Sequence, residues 1–393
     1  MTTIFTATRI GDVSKHVTVG FVGSMAALFT ATGVPLLRGQ NVQAGRLDLT
    51  NLKFVSRETH LKWKKSALLP GDVVLVRVGY PGTAAVIPDG VGELNAASLV
   101  IVRPDPRKVD AQYLCAVLNS PWGKARIAGL LVGSAQQVLN TKTVAEFEVP
   151  LPGIASQRRI AGVLSAYDDL IENCERRIRV LDEMARSLYR EWFGPGSGVP
   201  RGRFCDLATI FRGAIDPRQC PEEEFAHFSL PAFDAGRRAV IEQGRFIQSV
   251  KTALPVGCVL LSKLNPRIPR VWMPQWATAH RAIASTEFLV LQGQKGCGAS
   301  FLYSLCSSPE FLAAFGAMAI GTSTSHQRVK PDSLMQMDVP APGEAAIREF
   351  DAAVTPQLEL AEVLRERAAN LRATRDLLLP RLLSGQLSVG DAA

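Results

Sequence analysis

The sequence lacks the residue patterns on which most catalytic and metal sites depend. Its seven cysteines form no C-x-x-C pair and its five histidines show no ligand spacing, so we predict no zinc site and no other metal site. It has no Walker loop for ATP, and Pro104-Asp105 is not followed by the acidic-x-Lys sequence that a nuclease would use. We therefore predict no catalytic residues and no cofactor held by this chain itself.

Two stretches imitate catalytic motifs without the structural context that those motifs need. Residues 119–122 read Asn-Ser-Pro-Trp, which resembles the Asn/Asp-Pro-Pro-aromatic motif of amino methyltransferases, and residues 194–198 read Gly-Pro-Gly-Ser-Gly, like a nucleotide-binding loop. Each follows a predicted helix rather than a strand, so the strand–helix context of a cofactor site is missing. The first is interpreted as a helix end and the second as a linker.

Composition and charge favour a soluble protein of two or three domains. The chain has 393 residues, of which 47% are apolar and 20% charged, and these proportions are ordinary for a globular protein. The net charge of +8 is typical of proteins that bind nucleic acid or an acidic partner. An odd number of cysteines and no signal peptide predict a cytoplasmic location. The uncharged stretch 17–37 contains several glycines and threonines, which make a poor spanning helix, so no membrane partner is expected.

The chain does contain a long apolar seam. From residue 160 to residue 192, apolar side chains recur at steps of four and three, and the positions between them are largely Arg, Glu and Asp. A sustained period of 3.5 predicts one long helix that needs a partner helix to bury its seam. The seam residues are Ile160, Leu164, Tyr167, Ile171, Cys174, Ile178, Leu181, Ala185, Leu188 and Trp192.

A second copy of the seam lies 190 residues further along the chain and supplies the partner helix. Its positions are Phe350, Val354, Gln357, Ala361, Leu364, Ala368, Leu371, Arg375, Leu378 and Leu382. Pro356 stands where the first copy has Ala166. Because proline removes a hydrogen bond and clashes one turn back, we expect a short helix over 345–354, a break near Thr355-Pro356 and a main helix to about Leu383.

The repeat extends beyond the helices. The predicted strands 73–76 and 99–102 have counterparts at 259–261 and 288–291, and the helix that ends at Ser120-Pro121 has a counterpart that ends at Ser308-Pro309. The offset drifts only from 186 to 190, which predicts an α+β protein of two repeated mixed units and two long helices. The predicted boundaries are 1–153 for the first unit, 154–193 for the central helix, 194–200 for a Gly/Pro linker, 201–343 for the second unit, 344–385 for the C-terminal helical region and 386–393 for a tail.

Polar and basic residues gather on loops at matching places in both copies. Arg, Asn and Gln carry paired donors and acceptors that match base edges, whereas Ser, Thr and Lys suit phosphate. A solvated loop would look similar, but the recurrence of the same loops in both copies favours a DNA interface for the group. The candidate DNA contacts are Arg38, Gln40, Asn41, Arg77, Tyr80, Thr83, Ser134, Gln136 and Gln137 in the first copy, and Lys263, Asn265, Arg267, Thr322, Ser323, His326, Gln327, Arg328 and Lys330 in the second.

Several motifs together resemble one known family, the DNA specificity (S) subunits of type I restriction–modification systems. The resemblance is carried by Val-Pro-Leu-Pro at 149–152, by the segments 156–160 and 164–172 after it, and by the C-terminal segment 375–385. The loops 133–140 and 321–330 match the family's Gly-Ser/Thr-x-x-Gln pattern. Pro356 and the segment 343–346, where the family usually has a glutamine, depart from it.

The resemblance implies a non-catalytic subunit with a defined set of partners. Each of two target recognition domains would read one half of a split site on double-stranded DNA, and the two long helices between the domains would form an antiparallel intramolecular coiled coil. These helices would also dock two modification subunits, which bring S-adenosylmethionine and methylate adenine. Restriction subunits, with ATP and Mg²⁺, can join to form a DNA-cleaving complex.

Two other functional classes compete with this interpretation. One is a coiled-coil scaffold or adaptor whose two lobes bind proteins, and the other is an enzyme, either a methyltransferase or a fused nuclease. DNA binding with a log–log salt slope of several units would favour the DNA-reading subunit, whereas salt-insensitive binding would favour the scaffold. Binding of S-adenosylmethionine by the isolated chain would favour the enzyme.

The seam length predicts the spacing of the split site. A helix over residues 160–192 is about 50 Å long, enough to separate two readers by about one turn of duplex. Deleting one heptad should shorten the distance between half-sites by about 10 Å, or roughly three base pairs. Sequencing of methylated adenines would measure the spacer directly, and an unchanged spacer in the deletion variant would contradict the ruler role.

Overall fold

The computed structural model describes residues 6–131, 138–275, 279–320, 327–383 and 387. The chain divides into two compact units. Unit 1 comprises Met1–Ile171 and Asn370–Ala393, and unit 2 comprises Glu172–Ala369. Two helices of 40 residues each contribute to both units, one from Ile154 to Phe193 and the other from Glu344 to Leu383.

Unit 1 is built on a four-stranded and a five-stranded β-sheet, with two smaller two-stranded sheets. Its strands are β1 (Thr6–Arg9), β2 (Ser14–Val19), β3 (Phe29–Thr30), β4 (Val34–Leu37), β5 (Val42–Gln43), β6 (Arg46–Leu47), β7 (Lys53–Val55), β8 (Ala67–Leu68), β9 (Val73–Val76), β10 (Ala84–Val86), β11 (Leu94–Ala96), β12 (Leu99–Pro104) and β13 (Glu148–Leu151). Its helices are α1 (Arg57–Lys62), α2 (Ala111–Asn119), α3 (Pro121–Leu131), α4 (Thr141–Glu146) and the first part of α5 (Ile154–Phe193). The four-stranded sheet has the order β10-β9-β12-β2 and the five-stranded sheet the order β3-β7-β4-β11-β8, while β1 pairs with β13 and β5 with β6.

Unit 2 repeats this design. Its strands are β14 (Arg201–Arg203), β15 (Ala208–Ile210), β16 (Ala214–Ile215), β17 (Glu224–Phe228), β18 (Val240–Gln243), β19 (Lys251–Ala253), β20 (Cys258–Ser262), β21 (Val271–Trp272), β22 (Arg281–Ala284), β23 (Phe288–Gly293) and β24 (Asp338–Pro340). Its helices are α6 (Leu230–Asp234), α7 (Ala299–Ser307), α8 (Pro309–Ala317), α9 (Pro331–Met335) and most of α10 (Glu344–Leu383). The sheet orders are β15-β23-β20-β21 and β16-β19-β22-β17-β18, so the four-stranded sheet has the same topology in both units.

The central strand of each four-stranded sheet is buried on both faces. In β9, Val73 and Leu75 belong to the core beneath α2, while Val74 and Val76 belong to the core between the two sheets. In β20, Val259 and Leu261 belong to the core that also contains residues of α7, while Cys258 and Leu260 on the other face belong to a separate core. A strand that is buried on both faces needs a continuous apolar run rather than alternation, and this explains why both strands could be predicted from sequence.

The long helices pack against each other in opposite directions. In unit 1, Ile160 and Leu164 of α5 share a core with Leu379 and Leu382 of α10. In unit 2, Tyr189 and Phe193 of α5 share a core with Phe350 and Val354 of α10, and the ring centroids of Tyr189 and Phe350 are 6.0 Å apart. The N-terminal part of α5 therefore packs against the C-terminal part of α10, and the C-terminal part of α5 against the N-terminal part of α10. The predicted fold class, two mixed units with an antiparallel pair of long helices, is confirmed.

Buried charge fixes the register of the helix pair in unit 2. The Arg365 guanidinium donates two hydrogen bonds to the Asp182 carboxylate, at 3.0 and 2.8 Å, and a third, at 2.5 Å, to Glu362. These three side chains are 14 to 17% exposed. In so shielded a place a slip of one turn would leave charge unpaired, at a cost of about 3–5 kcal/mol. Apolar contacts alone would tolerate such a slip more easily.

The expected break at Pro356 is wrong, because α10 is continuous from Glu344 to Leu383. Proline removes only one backbone donor, and the carbonyl that loses it belongs to Ala352, which is exposed and accessible to water. On the opposite face of the helix, Val354 is fully buried and Leu358 is 3% exposed. Packing of these side chains in the unit 2 core holds the helix together across the proline.

The start of α10 lacks the glutamine that is usual in the family, and another side chain makes the equivalent attachment. In the first copy the buried Gln157 amide accepts from the Asp110 backbone N–H at 2.9 Å and donates to the Pro152 carbonyl at 2.8 Å, which ties α5 to the start of α2. In the second copy the Asp351 carboxylate accepts from the Phe301 backbone N–H at 2.7 Å, at the start of α7. Burial raises the pKa of Asp351. The same attachment is therefore made by a different residue, one turn further along the helix.

Among the described residues, no helix is both long enough and apolar enough to cross a membrane.

Replacing Pro356 with alanine should stabilise the protein. Alanine restores the missing N–H donor to the Ala352 carbonyl and removes the ring clash, a gain of up to about 3 kcal/mol. Urea unfolding would measure it, with Glu359→Ala on the same exposed stretch of α10 as the control, expected within about 0.5 kcal/mol of wild type. A Pro356→Ala protein that is less stable than wild type would contradict the continuous helix.

Candidate nucleic-acid interface

The predicted contact loops of unit 1 meet at the C-terminal end of β9. Arg77 follows β9 directly, and its carbonyl accepts from the Leu139 backbone N–H at 3.0 Å, while its Nε donates to the Leu139 carbonyl at 3.1 Å. The loop after β4 lies beside the same strand end, since a Cβ built on Gly39 would lie 3.6 Å from Cγ1 of Val76. Three segments that are distant in sequence are thus brought together.

The loops of unit 2 meet in the same way at the end of β20. The Lys263 carbonyl accepts from the Val329 backbone N–H at 3.0 Å, and the Asn265 N–H donates to the Gln327 carbonyl at 2.8 Å. The bonds Leu139–Arg77 and Val329–Lys263, called here the strand-end hydrogen bonds, are related by offsets of 186 (263 minus 77) and 190 (329 minus 139). These are the limits of the drift in the sequence repeat, so the two sites are structural equivalents.

A tight turn presents the loop that follows β9. Gly79 and Gly82 have φ angles of +89° and +84°, which a side chain would strain. The Gly82 N–H donates to the Val76 carbonyl at 2.9 Å, and the Thr83 N–H donates to the Tyr80 carbonyl at 3.2 Å. The turn leaves Tyr80 83% exposed at its tip. A large aromatic side chain held in solvent suits contact with a base or sugar.

The structure sorts the remaining predicted contacts by exposure. Exposed are Gln40, Arg267, Arg328 and Lys330, and partly buried are Arg38, Arg77, Thr83, Lys263, Asn265 and Gln327. Ser134, Gln136, Gln137, Thr322, Ser323 and His326 lie outside the described residues. The exposed residues can reach a ligand as they stand, whereas the partly buried ones already support the loops.

Asn41 differs from the other candidates because it is only 1% exposed. Its Oδ1 accepts from the Arg38 backbone N–H at 3.2 Å, and its Nδ2 donates to the Asp48 carbonyl at 3.2 Å. Both ends of the amide are therefore occupied by backbone groups. In this conformation Asn41 shapes the loop after β4 and its amide does not face a ligand.

One residue at the unit 2 site was not predicted from the sequence. Glu287 precedes β23, its backbone carbonyl accepts from the Lys263 N–H at 3.0 Å, and its carboxylate accepts from Nε and Nη2 of Arg328 at 3.1 and 3.0 Å. The Arg328 guanidinium lowers the pKa of the Glu287 carboxyl. An acidic residue is not an obvious DNA contact. The sequence signal that could have identified Glu287 was its position directly before the predicted strand 288–291.

The described residues hold no group of three or more His, Cys, Asp or Glu side chains that could bind a metal ion. The chemistry that the two sites offer is hydrogen bonding and positive charge.

Comparison with known proteins finds similarity to one family over part of the chain. Residues 43–183 match the family described as type I restriction modification DNA specificity domain. A putative type I restriction enzyme specificity subunit, MjaX, from Methanocaldococcus jannaschii is 25% identical over 171 residues, and the EcoBI specificity subunit from Escherichia coli is 27% identical over 143 residues. Over these stretches the chain is similar to type I restriction–modification specificity subunits. The fold agrees, since the crystal structure of the S subunit from M. genitalium superposes with a TM-score of 0.62 at 16% identity, covering 96% of both chains.

The sequence matches to these specificity subunits are partial. They cover 42% of this chain and 40% of the MjaX subunit, and 36% of this chain and 30% of the EcoBI subunit. The chain thus aligns with less than half the length of each of these relatives.

The position of Asn41 leads to a testable distinction. Asn41→Ala should destabilise the protein by about 1–3 kcal/mol, because it leaves partly buried backbone groups of Arg38 and Asp48 without their side-chain partner. The neighbouring Gln40→Ala, on an exposed side chain, should leave stability within about 0.5 kcal/mol of wild type. Urea unfolding would measure both. Unchanged stability together with altered DNA binding in Asn41→Ala would instead favour a direct base contact.

Proposed function

We propose that this chain is the DNA specificity subunit of a type I restriction–modification complex and reads a split site on duplex DNA. The observation that carries the proposal is the pair of equivalent strand-end hydrogen bonds. In each unit, one of these bonds joins polar and basic loops at the C-terminal end of the equivalent strand, which is β9 in unit 1 and β20 in unit 2. A duplicated reader with two copies of one interface suits a DNA site made of two halves.

In this proposal the target recognition domains are residues 1–153 and 201–343. Gln40 and Tyr80 contact the DNA in the first domain, and Arg267, Arg328 and Lys330 in the second. The support is exposure and chemistry: Arg and Gln offer paired donors for base edges, and Lys offers charge to phosphate. The partly buried Lys263, Asn265 and Gln327 hold the second set of loops in place through backbone hydrogen bonds.

The two long helices would dock two modification subunits. This docking role is supported by large apolar side chains of the two helices that are exposed, namely Leu170, Val180 and Met184 on α5 and Val363 and Leu377 on α10. Exposed apolar residues on an otherwise charged helix are typical of a protein interface. We assign S-adenosylmethionine and the methylation of adenine to those subunits, and ATP and Mg²⁺ to restriction subunits that join a cytoplasmic complex.

Salt dependence tests DNA reading against the protein-scaffold alternative. The full chain with its modification subunits should bind specific duplex with a steep log–log salt slope, and Lys330→Gln should make that slope shallower by about 0.9 while weakening all sequences alike. Fluorescence anisotropy over a salt series would measure this.

Lys295→Gln provides the control. Lys295 is exposed in unit 2 but follows the far end of β23, away from Glu287, so its substitution should leave the slope unchanged. Binding that is insensitive to salt in the wild-type complex would overturn the proposed function and favour the scaffold.

A further inference from the structure

The Arg328–Glu287 pair is the most sharply defined side-chain arrangement at either strand-end site. The two hydrogen bonds, Nε to Oε2 at 3.1 Å and Nη2 to Oε1 at 3.0 Å, are parallel and use one edge of the guanidinium. Both bonds have ordinary length, and both residues are partly accessible, with side chains 47% and 26% exposed. An arginine that makes two hydrogen bonds to one carboxylate is held in one orientation and does not sample the many rotamers of an unpaired side chain.

The backbone around Arg328 is fixed as well. Its N–H donates to the Ile320 carbonyl at 3.0 Å and its carbonyl accepts from the Ile320 N–H at 2.9 Å. The next residue, Val329, is 1% exposed and makes the strand-end hydrogen bond to Lys263. Glu287 is attached to the same residue through its own carbonyl. Both partners of the ion pair are thus anchored to Lys263 at the end of β20.

The donors that remain on Arg328 determine what it can recognise. A guanidinium has five N–H groups, and Glu287 takes the one on Nε and one of the two on Nη2. The two on Nη1 and the second on Nη2 remain, and one donor from each of these nitrogens forms the end-on edge. That edge presents two parallel donors at the spacing of the O6 and N7 acceptors of guanine in the major groove. Adenine places a donor at one of these positions and thymine a methyl group beside its single acceptor.

We propose that Arg328, held in place by Glu287, reads a guanine in the half-site bound by unit 2. This inference rests on the proposed DNA-reading function and names the base that one side chain selects. Arg328 makes the contact, and Glu287 is a positioning residue that acts through Arg328.

The equivalent described positions of unit 1 do not carry this ion pair. Extending the strand pairings by one residue places Glu287 opposite Lys263 and Ser98 opposite Arg77, and the offset of 190 places Val138 at the position of Arg328. Serine and valine cannot form this ion pair. The guanine reading is therefore expected in one half-site and not in the other.

Substitution of Arg328 by lysine is the primary test. Lysine keeps the charge and loses the two-donor edge, so Arg328→Lys should lower the preference for guanine at one position by roughly 5- to 150-fold and leave the salt slope unchanged. Glu287→Gln should weaken the preference at the same position by a smaller factor. Sequencing of methylated adenines in cells that express the full chain with its modification subunits would reveal the position.

Arg107→Lys is the matched control. Arg107 donates from Nε and Nη2 to the Asp105 carboxylate at 3.1 and 3.0 Å, the same two distances, but it lies in unit 1 beyond the end of β12 that is remote from Arg77. Its substitution should change neither half-site. An Arg107→Lys protein with altered specificity would show that such pairs act through stability, which would overturn the assignment.

A chemical substitution in the DNA separates this inference from the proposed function. Replacing the selected guanine with 7-deazaguanine removes the N7 acceptor, and this should weaken binding by the wild-type complex and have little effect on Arg328→Lys. A wild-type complex that methylates no split motif would refute the proposed function itself. A split motif that is retained at every position in Arg328→Lys, or a response to 7-deazaguanine that is the same in both proteins, would overturn the guanine contact alone.

Discussion

The structure of each unit depends on one constraint, the burial of its central strand on both faces. All four residues of β9 and all five of β20 are buried, and neither strand has a face on which a polar side chain could contact a ligand. The first position after the strand that is partly exposed is Arg77 in unit 1 and Lys263 in unit 2. Any binding surface that these two strands support therefore lies at the strand ends, on the loops that meet there.

The strand-end hydrogen bonds attach the chain segments at Leu139 and Val329 to the strand ends. Loops carry binding residues well only when a scaffold fixes them, and here the carbonyls of Arg77 and Lys263 each accept from a loop about 60 residues further along the chain. The same attachment occurs twice, although few of the loop residues are identical between the copies. The backbone geometry is thus shared, and the side chains on it are free to differ.

Elements of the fold were predictable where local pattern and tertiary packing agree. The strand β9 has the predicted bounds and the helix α2 ends where it was predicted to end, because apolar period and flanking turn residues coincide there. The break at Pro356 was wrongly predicted, since a helix that buries Val354 and Leu358 in a core gains more from packing than one proline costs. On α5, Tyr189 and Phe193 are buried more deeply than the predicted Leu188 and Trp192, as expected when a helix of 3.6 residues per turn drifts from a 3.5 repeat.

The candidate site was predictable as a set of loops but not residue by residue. Asn41 is a residue type that often contacts bases, yet both ends of its amide form hydrogen bonds with the backbone of its own loop. No local sequence pattern distinguishes an asparagine that contacts DNA from one that holds its own loop. Glu287 was missed because its partner Arg328 lies 41 residues away (328 minus 287) and the pairing exists only in the folded chain. In the proposed function, specificity resides in pairings of this kind, which contribute little to the core. A repeat can keep its shared scaffold while the positions of Arg328 and Glu287 hold Val138 and Ser98 in the other copy, and this difference is what we propose lets the two halves read different DNA sequences.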